Sequence, residues 1–258
     1  MKRIAIVTGA SSGMGQELIR QIVSKYYELD EIWAIARRTD KIIKYSLELA
    51  MDYQVEASKV VAMPLDLLNK EHRVLLKTAL EKDKPDIILL GNAAGIGFSG
   101  SFEELAESEK ADTVELNCTA LTELTHMCLP YMKNGAKIIQ FASAAAFMPQ
   151  PGFAVYAATK AYVLSFSRAL GRELKGRGIS VTAVCPGPVK TEFIDSANKG
   201  KELSAYKKLV MAEPEKVVAK AVKDAEKGRS MSVYGLPMKC SMVLSKLLPH
   251  GLLMRFFG

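Results

Sequence analysis

Tyr156 and Lys160 carry the most telling chemistry in the sequence. They stand four residues apart in Tyr156-Ala157-Ala158-Thr159-Lys160, a spacing that sets a phenol and an ammonium on one face of a helix. A free tyrosine titrates near pH ~10, too high for a general base at neutrality, and a cation held close favours the phenolate and lowers that value. Ser143 lies thirteen residues before Tyr156, just after an apolar run, where its hydroxyl could polarise a substrate oxygen shared with the tyrosine. Alone, Ser143 would be read as a loop hydroxyl satisfying nearby backbone. With the pair it completes a proton-transfer set suited to hydride chemistry: reduction of a carbonyl leaves an alkoxide that needs a proton, and oxidation needs that proton removed.

A phosphate site is legible at the other end of the chain. Thr8-Gly9-Ala10-Ser11-Ser12-Gly13-Met14-Gly15 follows the first apolar run and opens into a helical pattern. A turn free of bulky side chains lets backbone approach a pyrophosphate, and the helix N-terminus that follows offers unpaired N–H groups to the anion. The spacing is G-x-x-x-G-x-G, so on letters alone an ordinary tight turn would also account for it. After the second apolar run, where a carboxylate would hold the ribose hydroxyl of NAD, stand Arg37 and Arg38. Guanidiniums there favour a 2′-phosphate, hence NADP, with Arg37 the first candidate.

The elements that must position these groups alternate. Apolar runs at Ile4 to Val7, Ile32 to Ala36, Val60 to Met63, Ile87 to Leu90, Lys137 to Phe141 and Ser180 to Val184 read as strands, with Ser232 to Tyr234 a short last one. Helical composition fills Gly15 to Lys25, Asp40 to Ala50, Asn69 to Lys82, Glu107 to Met132, Tyr156 to Lys175 and Pro214 to Glu226. The pattern predicts a single α/β domain over residues 1–258: a doubly wound parallel sheet of about seven strands with helices on both faces.

In this order the motifs resemble the short-chain dehydrogenase/reductase family from Lys2 to about Thr191. Thr8 to Gly15 is similar to the family's T-G-x-x-x-G-x-G loop, Asp66-Leu67 to its adenine-contacting aspartate, and Asn92-Ala93-Ala94-Gly95 to its N-A-A-G turn. Asn117, Ser143, Tyr156 and Lys160 fall where the family's catalytic tetrad falls, and Pro186-Gly187-Pro188-Val189-Lys190-Thr191 resembles its P-G-x-V-x-T segment. The resemblance implies cofactor contacts from Thr8, Gly9, Ser11, Ser12, Gly13, Met14 and Gly15, from Asp66, Leu67, Asn92, Ala93 and Gly95, and from Pro186, Gly187, Val189 and Thr191. It further implies that Lys160 binds the nicotinamide ribose, that Asn117 holds a water in a proton relay, and that the chain pairs into a homodimer or homotetramer through the helices 107–132 and 156–175.

Apolar residues flank the proposed centre, and Phe98, Phe147, Phe153 and Phe193 join Ser143 and Tyr156 as candidate substrate contacts, suiting a steroid, bile-acid or acyl skeleton. Residues 193–212 are expected to form a lid. The tail 235–258 is greasy and basic without an acidic residue. It either packs on a subunit or the substrate mouth, the reading that Pro249 and Gly251 favour by interrupting a long helix, or lies on an anionic membrane. A nucleotide-sensing protein that docks through this tail is the alternative to an enzyme.

Composition excludes other classes. The 258 residues are 49% hydrophobic and 24% charged, ordinary for a globular chain. The net charge of +7 is dispersed, without the basic runs or aromatic pattern of nucleic-acid binding. Cys118, Cys128, Cys185 and Cys240 form no C-x-x-C pair and read as packed, reduced thiols, and His72, His126 and His250 are scattered, so no metal site is expected. The first apolar run stops too soon for a signal peptide, and no stretch is long enough to span a bilayer. The expected setting is the cytoplasm.

Overall fold

The computed structural model describes residues 1–26, 28–198 and 208–257. Its strands are β1 (Arg3–Thr8), β2 (Glu31–Ala36), β3 (Val60–Pro64), β4 (Asp86–Asn92), β5 (Lys137–Phe141), β6 (Ser180–Val184) and β7 (Met231–Ser232), all parallel, in the order β3-β2-β1-β4-β5-β6-β7. Alternation in β1 explains the two layers. Ala5 and Val7 pack on one face with Leu18, Ile22 and Val218, while Ile4 and Ile6 pack on the other with Leu76, Leu124 and Ile138.

One face is covered by α1 (Gly13–Lys25), α2 (Thr39–Tyr53) and α8 (Pro214–Glu226). The other carries α3 (Lys70–Asp83), α4 (Glu107–Val114), α5 (Leu121–Cys128) and α6 (Ala154–Glu173). Asn69 starts α3 by accepting from the backbone N–H of Glu71 and His72. The short α7 (Glu192–Ala197) follows Thr191, and α9 (Leu236–Leu247) and α10 (His250–Phe257) close the chain.

Three expectations are corrected. The continuous helix read over Glu107 to Met132 is broken by a π-helical turn at Glu115–Ala120, which reorients Asn117. The last strand is Met231–Ser232 rather than Ser232 to Tyr234, because only Met231 and Ser232 pair with β6 and Gly235, at φ 82°, turns the chain into α9. Cys240 is exposed, whereas Cys128 and Cys185 are buried as expected. Of the lid segment, residues 199–207 lie outside the described residues. Among the described residues no helix is long and apolar enough to cross a membrane.

The strand order reverses direction between β1 and β4, so the crevice that receives ligands in such sheets opens at their carboxyl ends, beside Thr8 and Asn92.

Candidate active site

The glycine loop sits where β1 meets α1. Thr8 Oγ1 accepts from the Ala94 N–H at 3.0 Å, locking this loop to the one after β4. Gly9 and Gly13 have φ of 64° and 56°, where a side chain is strained. At Gly15 a Cβ would lie 2.3 Å from the Gly9 carbonyl oxygen. Gly15→Ala is therefore expected to force the loop open, weakening dinucleotide binding about tenfold or more and lowering the melting temperature; a fluorescence titration of the cofactor checks it. Met14 reaches the catalytic cleft.

Arg38, at the start of α2, donates to Ser12 Oγ at 3.0 Å and Ser11 Oγ at 3.3 Å. It also pairs with Glu192 at 2.8 Å, and Lys41 pairs with the same carboxylate at 2.6 Å, which holds Glu192 below the usual carboxylate range. Arg37 instead points out, 70% exposed and 3.9 Å from Asp66. Successive side chains at a strand end diverge, so Arg38 faces the glycine loop and Arg37 faces Asp66. The donor set of open glycine backbone, helix N-terminus, two serine hydroxyls and a guanidinium already holding an anion fits a phosphorylated dinucleotide.

Asp66 and Leu67 lie past β3, where Asp66 accepts from the Leu68 N–H and the Leu67 carbonyl accepts from Arg73. Arg73 is fully buried and also pairs with Glu115 and Glu123, tying the adenine-side loop to the π-turn. Asn92 ends β4 at the mouth of the crevice. Its amide is buried, donating to Gln140 at 2.9 Å and Thr125 at 3.1 Å, with Oδ1 unpartnered, so its side chain braces β4 against β5 and α5. Ala93 backs Gly9, and Gly95 faces Asn117 Oδ1 and Lys160 Nζ.

Asn117 accepts from the Ile96 N–H at 3.0 Å and donates to the Ile96 carbonyl at 2.8 Å and to Thr159 Oγ1 at 3.0 Å. With these bonds its side chain is a positioning group that fixes the Gly95–Gly97 loop to α6. Ser143 begins the turn after β5; its Oγ accepts from the Ala145 N–H at 3.1 Å and interacts with the Tyr156 hydroxyl.

Tyr156, near the start of α6, is 7% exposed and stacks on Phe153 at 4.3 Å, with Phe193 tilted at 5.5 Å. Gly97 lies against its ring, where a Cβ would come within 2.4 Å. Lys160 is buried, donates to the Phe141 carbonyl at 2.8 Å and holds its Nζ 5.6 Å from the Tyr156 ring centre. Burial pushes the tyrosine up to about 12, partly opposed by the Ser143 hydroxyl. Burial brings Lys160 down to about 8. Removal from water outweighs whatever lowering the nearby ammonium supplies, so the net shift is upward, against the expectation of a lowered tyrosine. Tyr156 stands as a neutral phenol, a proton donor.

Pro186 accepts from the Ala144 N–H at 2.7 Å, and Val189 bridges Ala212. Thr191 donates to the Val189 carbonyl and packs its methyl against Gly13, closing the loop over the start of α1. Between these groups opens a cleft of about 700 Å³ lined by Ser143, Phe153, Tyr156, Gly187 and Phe193. Phe98 and Phe147 do not line it. Phe147 packs beside Val163 and Leu121, because the short helical turn of Ala144–Phe147 leaves Ala144 and Ala145 on the cleft side.

Sequence reasoning missed Gly97, Lys41, Arg73, Glu192, Met238 and Ser241. The motif Gly95-Ile96-Gly97 was the available signal for Gly97; the others act through tertiary contact.

The family model described as short chain dehydrogenase matches residues 3–202. Serine 3-dehydrogenase of Agrobacterium fabrum (strain C58 / ATCC 33970) is 29% identical over 195 residues, covering 75% of this chain and 74% of that protein. A short-chain dehydrogenase from Sphingobium yanoikuyae in complex with NADPH superposes with a TM-score of 0.80 at 24% identity, over 97% of this chain and 95% of its own. A short chain dehydrogenase/reductase from Burkholderia phymatum in complex with NAD does so at 0.77 and 19% identity, over 94% and 92%. The two structures share the fold.

Proposed function

Because the chain belongs to the short-chain dehydrogenase family and is an oxidoreductase of that family's CH–OH chemistry, we propose that it is an NADP(H)-dependent enzyme interconverting a ketone or aldehyde and an alcohol on a lipophilic substrate of steroid, bile-acid or acyl type. The observation that carries this reading is a buried Tyr156 beside Ser143, facing an apolar cleft. A bound nicotinamide supplies the hydride. The chain's own groups handle the oxygen: the Ser143 and Tyr156 hydroxyls donate to the carbonyl oxygen, Tyr156 gives up its proton as the alkoxide forms, and the Lys160 ammonium stabilises the phenolate left behind. Phe153 and Phe193 exclude water from the transfer.

The preference for NADP is supported by Arg38 and Lys41 converging on the Glu192 carboxylate, with the Ser11 and Ser12 hydroxyls bonded to Arg38 beside it, the place of Glu192 being the one a 2′-phosphate would take. Arg38→Ala is expected to raise KM for NADPH about 10–100-fold and leave KM for NADH nearly unchanged, as loss of charge-assisted hydrogen bonds requires. Residues 193–212 are proposed as a lid, supported by Phe193 and Ile194 at the cleft wall. Assembly into dimers or tetramers through α4, α5 and α6 is supported by exposed Val114 and Tyr162 on those helices. Unpaired cysteines support a reducing, cytoplasmic setting.

The experiment is NADPH oxidation over a panel of steroid, bile-acid, acyl and small ketones, with NADH in parallel. Turnover on one scaffold class is expected; NADPH binding without turnover on any would overturn the enzymatic reading.

A further inference from the structure

The C-terminal helix α9 is apolar on two sides. Its inner side belongs to the fold: Met238 is buried against Gly187, Met242 packs on the core around Leu121 and Val163, and Ser241 reaches the catalytic cleft. Its outer side carries Leu236, Cys240, Val243, Leu244 and Leu247, spaced i, i+4, i+7, i+8 and i+11, one continuous stripe of a helix. Leu236 and Leu247 are 73% and 74% exposed, Val243 and Leu244 48% and 45%. Leu248 and Leu252 extend the stripe toward α10. Single exposed leucines are ordinary; three turns of them in register mark a surface that something covers.

Charge selects what covers it. Lys239 and Lys246 are exposed on α9, and the sequence has no acidic residue after Glu226, while Lys227 and Arg255 add to the same sign. A two-fold contact between copies would set α9 against itself, Lys239 and Lys246 facing their own copies with no carboxylate on the helix to pair. An anionic surface meets both features at once.

We propose that α9 and α10 dock on an anionic lipid surface, with the leucine stripe in the boundary between headgroups and acyl chains and Lys239 and Lys246 at the phosphates. The break at Leu248 and Pro249 excludes one long interfacial helix, and α9 keeps its apolar face without it. Since the inner side of α9 forms part of the cleft, docking brings the cleft close to the bilayer, where a lipophilic substrate would be concentrated. That consequence rests on the substrate class proposed above; the docking does not.

The test is flotation of the full chain with mixed phosphatidylcholine–phosphatidylglycerol vesicles and with pure phosphatidylcholine vesicles. Binding to the mixed vesicles only, weakened by added salt, is expected. Lys239→Gln with Lys246→Gln should weaken it on the order of tenfold, and Leu244→Glu with Leu247→Glu at least as much, with melting temperature and NADPH affinity unchanged in both. No flotation, equal binding to both vesicles, or undiminished binding by the glutamate variant overturns the proposal. So does a glutamate variant that lowers the oligomeric order by light scattering while the parent ignores vesicles, since the stripe then belongs to a second copy.

Discussion

Tyr156→Phe is expected to lower carbonyl reduction by roughly 10²- to 10⁴-fold, the usual contribution of a positioned general acid, while cofactor affinity and melting temperature stay near those of the parent. The ring keeps its stacking on Phe153 and its seat on Gly97, so only the hydroxyl is lost. The direction of the reaction follows from the same group. A phenol pushed up to about 12 is protonated at neutral pH and ready to donate, whereas oxidation must first remove that proton. Reduction by the parent should therefore be flat through neutrality and decline as pH rises past about 8, where Lys160 loses the charge that stabilises the departing phenolate. Oxidation, which needs the phenolate together with the ammonium, should rise with pH up to about 8 and level off above it. Steady-state rates in both directions against pH check this; a reduction rate that climbs through pH 8 would contradict it.

Lys160→Met should abolish turnover, by about 10³-fold or more, and yet stabilise the protein free of cofactor. Lys160 is 5% exposed, and among the described residues its ammonium donates to the Phe141 carbonyl. Its fall from 10.5 to about 8 on folding corresponds to a cost of about 3 kcal/mol for keeping the charge buried. Methionine removes that cost but leaves the Phe141 carbonyl without its donor, at about 1–3 kcal/mol. The net gain is about 1 kcal/mol, or roughly 2–4 °C in melting temperature. The sign of its pH dependence is fixed. The folded value lies below the unfolded one, so the penalty is complete below pH 8 and is relieved as pH rises toward 10.5. The advantage of methionine should accordingly shrink across that interval, as thermal melts at neutral and alkaline pH would reveal. Melts in saturating NADPH should also narrow the difference, because the lysine then gains ribose hydroxyls to bond.

The strands were legible because both of their faces are buried, which makes them short uninterrupted apolar runs: Lys137–Phe141 and Ser180–Val184 are found at the residues the pattern picks out. The π-turn was not, since nothing in the composition of Glu115–Ala120 distinguishes it from helix; it persists because Asn117 is held by Ile96 and Thr159. Likewise Phe147 is as apolar as Phe153, and only the winding of the Ala144–Phe147 turn decides that one packs in the core and the other in the cleft.

Sequence by itself determined the sheet, the phosphate turn, and the Tyr156–Lys160 pair, because each depends on local backbone geometry or a fixed helical spacing. Tertiary structure decided what those groups are. Burial shifts Tyr156 toward its neutral form, the turn after β2 aims Arg38 and not Arg37 at the glycine loop, core contacts hold the Asn92 amide on Gln140 and Thr125, and α7 brings Glu192 to Arg38 and Lys41. Protonation state and counter-ion depend on which water is excluded and which distant charge is near, and those are properties of the packed molecule.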